Sequence, residues 1–192
     1  MKELLESLKE VWQLQTKLMD VYINLNRLGS YPVDINSREG QANIRMDMHF
    51  FVEELAEMAE VMGTPEFNEE AADCTHFLME LTILSFNSVD EFLKFVEGSK
   101  GLEPAFLTES HSPAEWLWSV VFSIHYASNK MKNKPWKVTL KDTDERPYKL
   151  ALASAWLVFL GFLDSVGVDL EVLVNEYKKK NLINYQRVEG DY

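Results

Sequence analysis

Apolar residues recur every three or four positions through most of the chain, whereas the strict alternation typical of half-buried strands is nearly absent. This spacing places the apolar side chains of each segment on one face of a helix. Together with breaks at stretches that contain glycine and proline, the pattern predicts an all-α fold. The predicted helices cover residues 3–28, 41–62, 65–87, 89–97, 113–131, 147–166 and 169–185.

Length and composition indicate one globular domain over residues 1–192. The chain is 46% hydrophobic and 26% charged, which is close to the average for such a domain. Its single cysteine, Cys74, cannot form an internal disulfide or a zinc finger, so we expect a reducing, cytoplasmic location. The longest uncharged stretch, 150–163, is shorter than the about 18 residues that suggest a membrane span. We therefore predict a buried core helix there and no membrane partner.

The balance of charge argues against one class of partner. The chain has 19 Lys and Arg residues against 31 Asp and Glu residues, a net charge of −12. Affinity for nucleic acid depends on Lys and Arg side chains that neutralise phosphates. We therefore expect no nucleic-acid partner.

Two pairs of acidic residues lie within otherwise apolar faces of the second and third predicted helices. The pairs are Glu54 with Glu57 and Glu70 with Asp73. Residues three apart project from one helical face, and the short turn at 63–65 favours antiparallel packing, so the four carboxylates should converge. Like charges in a partly dry site remain ionised together only if a cation joins them. An all-oxygen ligand set predicts Mg²⁺, with Mn²⁺ as the alternative ion.

The same acids fit two other interpretations. A single E-x-x-E motif is common on exposed helices without any function, but carboxylates among Phe and Leu side chains are costly unless they are compensated. Asp73 and His76 also fit half of a di-iron motif. That fold requires a second carboxylate-x-x-His motif, which the sequence lacks. We retain His76 as a candidate substrate contact.

Basic and amide side chains near the C-terminus suit a phosphate. Asn181, Asn184 and Arg187 repeat every three residues, which places hydrogen-bond donors for oxyanions along one line. A second basic segment, 130–137, carries four lysines around Trp136. Both segments can offset the charge of the phosphates that Mg²⁺ usually serves.

These motifs resemble, in order, those of the all-α nucleoside triphosphate pyrophosphohydrolases, and within them the dimeric dUTPases. The acidic pairs alone mark only the wider superfamily, and the C-terminal motif makes the resemblance specific. Segment 132–137 is similar to a phage-type variant. The matching segments are L-Q-x-x-L at 14–18, E-x-x-E at 54–57, E-x-x-D-x-x-H-F at 70–77 and Y-x-x-K-N-x-x-N-x-x-R at 177–187, followed by Tyr192.

The resemblance implies a helical bundle that forms homodimers and hydrolyses a dNTP, above all dUTP, to the nucleoside monophosphate and diphosphate. The setting would be the cytoplasm, or the host cytoplasm for a phage protein. It implies that Gln15 and His76 face the nucleoside. The residues implied as catalytic and Mg²⁺-binding are Glu54, Glu57, Glu70 and Asp73. Those implied to hold the phosphates are Lys180, Asn181, Asn184, Arg187 and Tyr192.

Two alternatives stay open. Met19 stands where dimeric dUTPases usually carry asparagine, and the loss of a hydrogen-bonding group can change discrimination between substrates by orders of magnitude. The substrate can therefore be dCTP or another dNTP. The second alternative is a non-catalytic helical binding module that uses the acidic groove for a partner.

Overall fold

The computed structural model describes residues 2–25, 29–99, 112–134 and 136–189. Over these residues the protein consists of α-helices and contains no strand, which confirms the all-α prediction. The seven helices of this part of the chain are α1 (Lys2–Asn24), α2 (Arg38–Glu60), α3 (Phe67–Ser85), α4 (Val89–Gly98), α5 (Pro113–Lys130), α6 (Glu145–Ser165) and α7 (Leu170–Glu189).

Capping explains where α2 begins. The helix starts three residues earlier than predicted because Ser37 caps it, and the Ser37 Oγ accepts a hydrogen bond from the Gly40 N–H at 2.9 Å. A side-chain Cβ atom at position 40 would lie 2.2 Å from the Asp34 carbonyl oxygen, so only glycine fits at this position.

The other helix ends differ from the prediction for local reasons. α3 begins at Phe67 rather than 65, because a turn that passes through Gly63 with φ of +82° occupies residues 61–66. α7 continues four residues beyond its predicted end and therefore carries Arg187, as well as Asn184, on regular helix. Residues 26–28, the end of the first predicted helix, lie outside the described residues.

The core lies between two helix pairs. α2 packs against α3, and α5 packs against α6, while α7 lies across α3 and α1. Phe51 of α2 meets Phe159 of α6 edge to face, with ring centroids 5.7 Å apart. This arrangement leaves one side of the α2–α3 pair facing α1 and α7.

Helix α6 is the most apolar element of the bundle. By length and composition alone it could cross a membrane, but Trp156, Phe159 and Phe162 are at most 1% exposed inside the protein. The Trp156 Nε1 donates a hydrogen bond to the Thr82 Oγ1 at 2.8 Å, which satisfies its one polar group. The stretch 150–163 is a core helix, as predicted.

A buried ion pair joins α6 to α4. Lys149 is 2% exposed, and its Nζ lies 2.6 Å from the carboxylates of both Glu91 and Glu145. Hydrogen bonds from Asn87 also reach Glu91, and together with Lys149 they hold the pKa of the Glu91 carboxyl below its usual range although partial burial opposes this. A cation removed from water at this depth depends on both carboxylates.

We expect Lys149→Met to lower the free energy of unfolding by about 2 to 3 kcal/mol, because Glu91 is left without its buried partner while the side-chain volume is kept. Urea denaturation followed by circular dichroism measures the change. As the matched control, Lys2→Met removes the exposed pair with Glu6 at 3.8 Å and should change stability by less than about 0.5 kcal/mol. An unfolding midpoint of Lys149→Met equal to that of the wild type would contradict the assignment.

Candidate active site

The groove between α2 and α3 opens into a pocket of about 610 Å³. Side chains of α2 and α3 form two of its walls, and α1 and α7 form the others. The pocket therefore collects residues from four helices that are distant in sequence. Its lining residues are Gln15, Leu18, Tyr22, Met46, Asp47, Phe50, Glu54, Glu57, Glu70, Asp73, His76, Phe77, Glu80, Lys180, Asn184 and Arg187.

Three carboxylates converge at one end of this pocket. Glu54, Glu57 and Glu70 each offer an oxygen that lies within 4.8 Å of the others. Partial burial, followed by the charges of the neighbouring acids, raises the pKa of Glu54 to about 7. Burial also raises the pKa of Glu70. The ionised forms of Glu54 and Glu70 are thus costly in the protein as it stands.

The fourth acid of the predicted set has a different partner. The Asp73 Oδ2 accepts a hydrogen bond from the Lys180 Nζ at 2.6 Å, and the same ammonium lies 2.9 Å from the Glu69 carboxylate. Burial raises the pKa of Asp73, and the contact with Lys180 lowers it by less. Lys180 is thus the cation that offsets part of the negative charge of the groove.

This donor set fits a divalent cation. It consists of carboxylate oxygens at the spacing of ligands around one ion, and no thiolate or imidazole belongs to the described cluster. A positive ion would relieve both the desolvation and the mutual repulsion that raise the pKa values of Glu54 and Glu70. Glu54, Glu57 and Glu70 would hold the ion, with Asp73 beside them.

A hydrogen-bond relay forms another wall of the pocket. The Gln15 Oε1 accepts hydrogen bonds from the Tyr177 hydroxyl at 2.7 Å and from the His76 Nδ1 at 2.8 Å. The His76 ring also stacks on the Tyr177 ring, with centroids 4.2 Å apart. Because Nδ1 donates, it carries the proton, and the Nε2 of a neutral His76 is left as an acceptor. Burial, and then the charge of Lys180, lower the pKa of His76 to about 3, so the ring is neutral.

The structure places the remaining predicted residues in three different surroundings. Asn184 and Arg187 line the pocket beside Lys180. Asn181 is 3% exposed and lies outside the pocket lining, and it contacts Tyr177 through its side chain. Tyr192 lies outside the described residues. The roles assigned to all of them remain predictions.

The position of Met19 changes the argument about the base. Its side chain is fully buried in the core and does not line the pocket, whereas the adjacent Leu18 does. In this structure the residue at position 19 therefore offers nothing to a ligand in the groove.

Sequence reasoning missed two acids of the pocket. Asp47 lies seven residues before Glu54, and Glu80 lies seven residues after Asp73, so both lie two turns further along the same helical faces. A search for acids seven residues before Glu54 and seven residues after Asp73, on the same helical faces, would have identified both. A single acid at that spacing carries no motif, which is why it was overlooked.

An all-α fold with two acidic pairs opposite a lysine and an arginine in one pocket defines the class of all-α nucleoside triphosphate pyrophosphohydrolases. Within that class the chain belongs to the dUTPase family, because the family model described as dUTPase matches residues 50–192, most of the chain. The protein is therefore a dUTPase-like nucleotide hydrolase. No curated protein and no solved structure gives a match.

We expect Glu54→Gln to weaken the binding of Mn²⁺ or Mg²⁺ by at least about tenfold, because affinity for such ions depends on the number of ligand charges. In EDTA the same variant should unfold at a higher temperature than the wild type, because a repelled and partly buried charge is gone. Titration calorimetry and thermal unfolding measure the two effects.

The control for this prediction is Glu53→Gln, one residue earlier on the exposed side of α2, where the carboxylate lies 3.5 Å from the His49 ring. Neither metal affinity nor the unfolding temperature in EDTA should change by more than the experimental error. Metal affinity of Glu54→Gln equal to that of the wild type would show that the ion binds elsewhere.

Proposed function

We propose that the chain is a Mg²⁺-dependent dUTP pyrophosphohydrolase that converts dUTP and water into dUMP and diphosphate. The observation that carries the proposal is the convergence of Glu54, Glu57 and Glu70 within 4.8 Å in a pocket that Lys180 and Arg187 also line. Membership of the dUTPase family supports the choice of substrate and favours an enzyme over a binding module. We further propose one domain over residues 1–192, and a cytoplasmic location is consistent with nucleotide metabolism.

The acidic end of the pocket would hold the metal and the basic side would hold the triphosphate. A bound Mg²⁺ would supply positive charge opposite the phosphates and increase the acidity of the attacking water. The carboxylates of Glu54, Glu57, Glu70 and Asp73 are the ligands we assign to it. Mn²⁺ has the same preference for oxygen and would substitute for Mg²⁺.

Residues of α7 are suited to bind the phosphates. Lys180, Asn184 and Arg187 follow one another at spacings of four and three residues, so they lie on one face of the helix and all line the pocket. The Arg187 guanidinium contacts only the Asn184 side chain, at 3.5 Å, among the contacts described, and its fork of donors is suited to two phosphate oxygens. Asn181 and Tyr192 complete the proposed phosphate-binding set, as the resemblance implies.

The nucleoside would lie on the opposite side of the carboxylates, against α1 and α3. Gln15 and His76 are the residues we assign to contact it. The relay through Tyr177 orients both side chains before a ligand arrives, since the Gln15 Oε1 accepts from each partner at less than 3 Å. A preorganised wall reduces the ordering that binding would otherwise require.

Glu57→Ala and Asp73→Ala should each abolish dUTP hydrolysis, a loss of at least about a thousandfold in kcat, because each removes a ligand charge that acts on the reacting phosphate. Phosphate release from diphosphate, measured in a coupled assay with a panel of dNTPs and Mg²⁺, gives the rates. Circular dichroism should show unchanged helical content.

The matched controls are Glu53→Ala and Glu60→Ala, which lie on the exposed side of the same helix and should retain wild-type turnover. Release of diphosphate from no nucleotide would rule out the proposed function. If the chain then bound Mg²⁺ and a non-hydrolysable dNTP without turnover, it would be a binding module. Near-normal activity of Glu57→Ala would move the metal site elsewhere.

We also propose that the protein is a homodimer, as the family resemblance implies. Three aromatic side chains, Trp118, Phe122 and Tyr126, recur every four residues along α5 and are 67%, 40% and 47% exposed. Such a stripe on one helical face is larger than the scattered apolar residues of an ordinary monomer surface. A second copy of the chain is the partner we assign to it.

Light scattering after size exclusion should give the mass of a dimer for the wild type and of a monomer for Trp118→Glu, because a charge in the centre of an apolar interface is left unpaired. Trp136→Glu is the control, since Trp136 is 77% exposed on the segment between α5 and α6, and it should remain dimeric. A monomeric wild type, or a dimeric Trp118→Glu, would contradict the assigned interface.

A further inference from the structure

Three consecutive lysines of α7 form ion pairs in three different directions. The Lys178 Nζ lies 2.9 Å from the carboxylate of Glu10 on α1. The Lys179 Nζ lies 2.7 Å from the carboxylate of Glu176 on α7 itself. Because consecutive residues of a helix are rotated by about 100°, Lys180 faces a third neighbour, α3. Lys180 is the lysine of this run that lines the pocket.

Lys180 has two acidic partners rather than one. Its Nζ lies 2.6 Å from the Asp73 Oδ2 and 2.9 Å from the Glu69 Oε1. The two acids are four residues apart on α3, so they lie on one helical face. Burial opposes the charge of Lys180, whose side chain is 12% exposed, but the hydrogen bonds with both acids raise its pKa by more. The ammonium therefore stays charged and shared.

The two acids differ in their position relative to the pocket. Asp73 lines the pocket and is one of the residues assigned to the metal. Glu69 does not line the pocket, its side chain is 57% exposed, and it is not part of the described cluster of three carboxylates. Glu69 thus reaches Lys180 from outside the pocket, whereas Asp73 reaches it from inside.

This arrangement resolves a conflict at Asp73. Its carboxylate is needed by a divalent ion and is also the shorter contact of Lys180. When Asp73 binds an ion, it gives up part of its interaction with the ammonium. A largely buried cation that loses its partner is costly. Glu69 offers Lys180 a carboxylate that has no part in the metal site.

We propose that Glu69 is a positioning residue, which holds the Lys180 ammonium in place while Asp73 binds the metal. Lys180 then stays directed at the phosphates and does not compete with the ion for Asp73. This inference rests on the proposed function, whose metal and phosphate sites it connects. Glu69 itself contacts neither the ion nor the substrate.

The first test measures the affinity for Mn²⁺ by titration calorimetry without nucleotide. Glu69→Gln keeps the size of the side chain and removes its charge, so that Lys180 is left with Asp73 alone. We expect affinity to fall by about three- to tenfold, because outer partners of metal ligands have effects of this kind. In a Lys180→Met background the same substitution should change affinity by less than about twofold, because the competing cation is gone.

The control is Glu10→Gln, which removes an ion pair of the same length between α7 and a different helix. Its affinity for Mn²⁺ should equal that of the wild type. A loss of equal size in Glu10→Gln would show that Glu69 only keeps α7 docked. A loss of equal size in both Lys180 backgrounds would show that Glu69 acts on the ion directly. Either result, or unchanged affinity in Glu69→Gln, would overturn the inference.

Kinetics provide the second test. At saturating Mg²⁺ we expect Glu69→Gln to raise KM for dUTP by about three- to fivefold and to keep kcat within about twofold, because Lys180 must then be ordered by the phosphates themselves. A loss of kcat with unchanged KM would contradict a positioning role. Turnover of no nucleotide by the wild type would overturn the proposed function, whereas the titration needs no turnover and still decides whether Glu69 acts through Lys180.

Discussion

Repulsion between carboxylates that share one partly buried groove is the constraint on which this protein depends. α2 and α3 pack through large apolar faces, yet Glu54, Glu57 and Glu70 meet at their edge, where burial and the neighbouring charges raise the pKa values of Glu54 and Glu70. Lys180 offsets only part of this charge, through Asp73. The contact between Lys180 and Asp73 therefore holds α7 against α3, and it joins the basic side of the pocket to the acidic side.

Periodicity was enough to predict the seven helices and the two acidic pairs, because both follow from which residues share a helical face. It could not predict that Lys180 contacts Asp73, since that contact joins residues 107 positions apart in sequence and depends on how α7 crosses α3. Helix ends were less accurate, because they depend on the Ser37 cap and the turn at Gly63. Met19 illustrates the limit of motif comparison, since its side chain lies in the core.

The pocket combines a rigid wall with a charged one. On the rigid side, Gln15 accepts from both His76 and Tyr177, so that one amide oxygen fixes the tautomer of the histidine and the orientation of both rings. On the charged side, the acids have few fixed partners, and their protonation depends on what is bound. The hydrogen-bonded wall is built from α1, α3 and α7, and the acidic cluster from α2 and α3, so α3 contributes to both.

The turn through Gly63 determines how the residues of α3 are aligned with those of α2. Insertion of one residue at the start of α3, between this turn and Glu70, would rotate Glu70 by about 100° and shift it by about 1.5 Å relative to the turn, so that Glu70 would no longer face Glu57. We therefore expect insertions and deletions to be rare between this turn and Glu70 in related sequences, and to be more frequent in other surface segments.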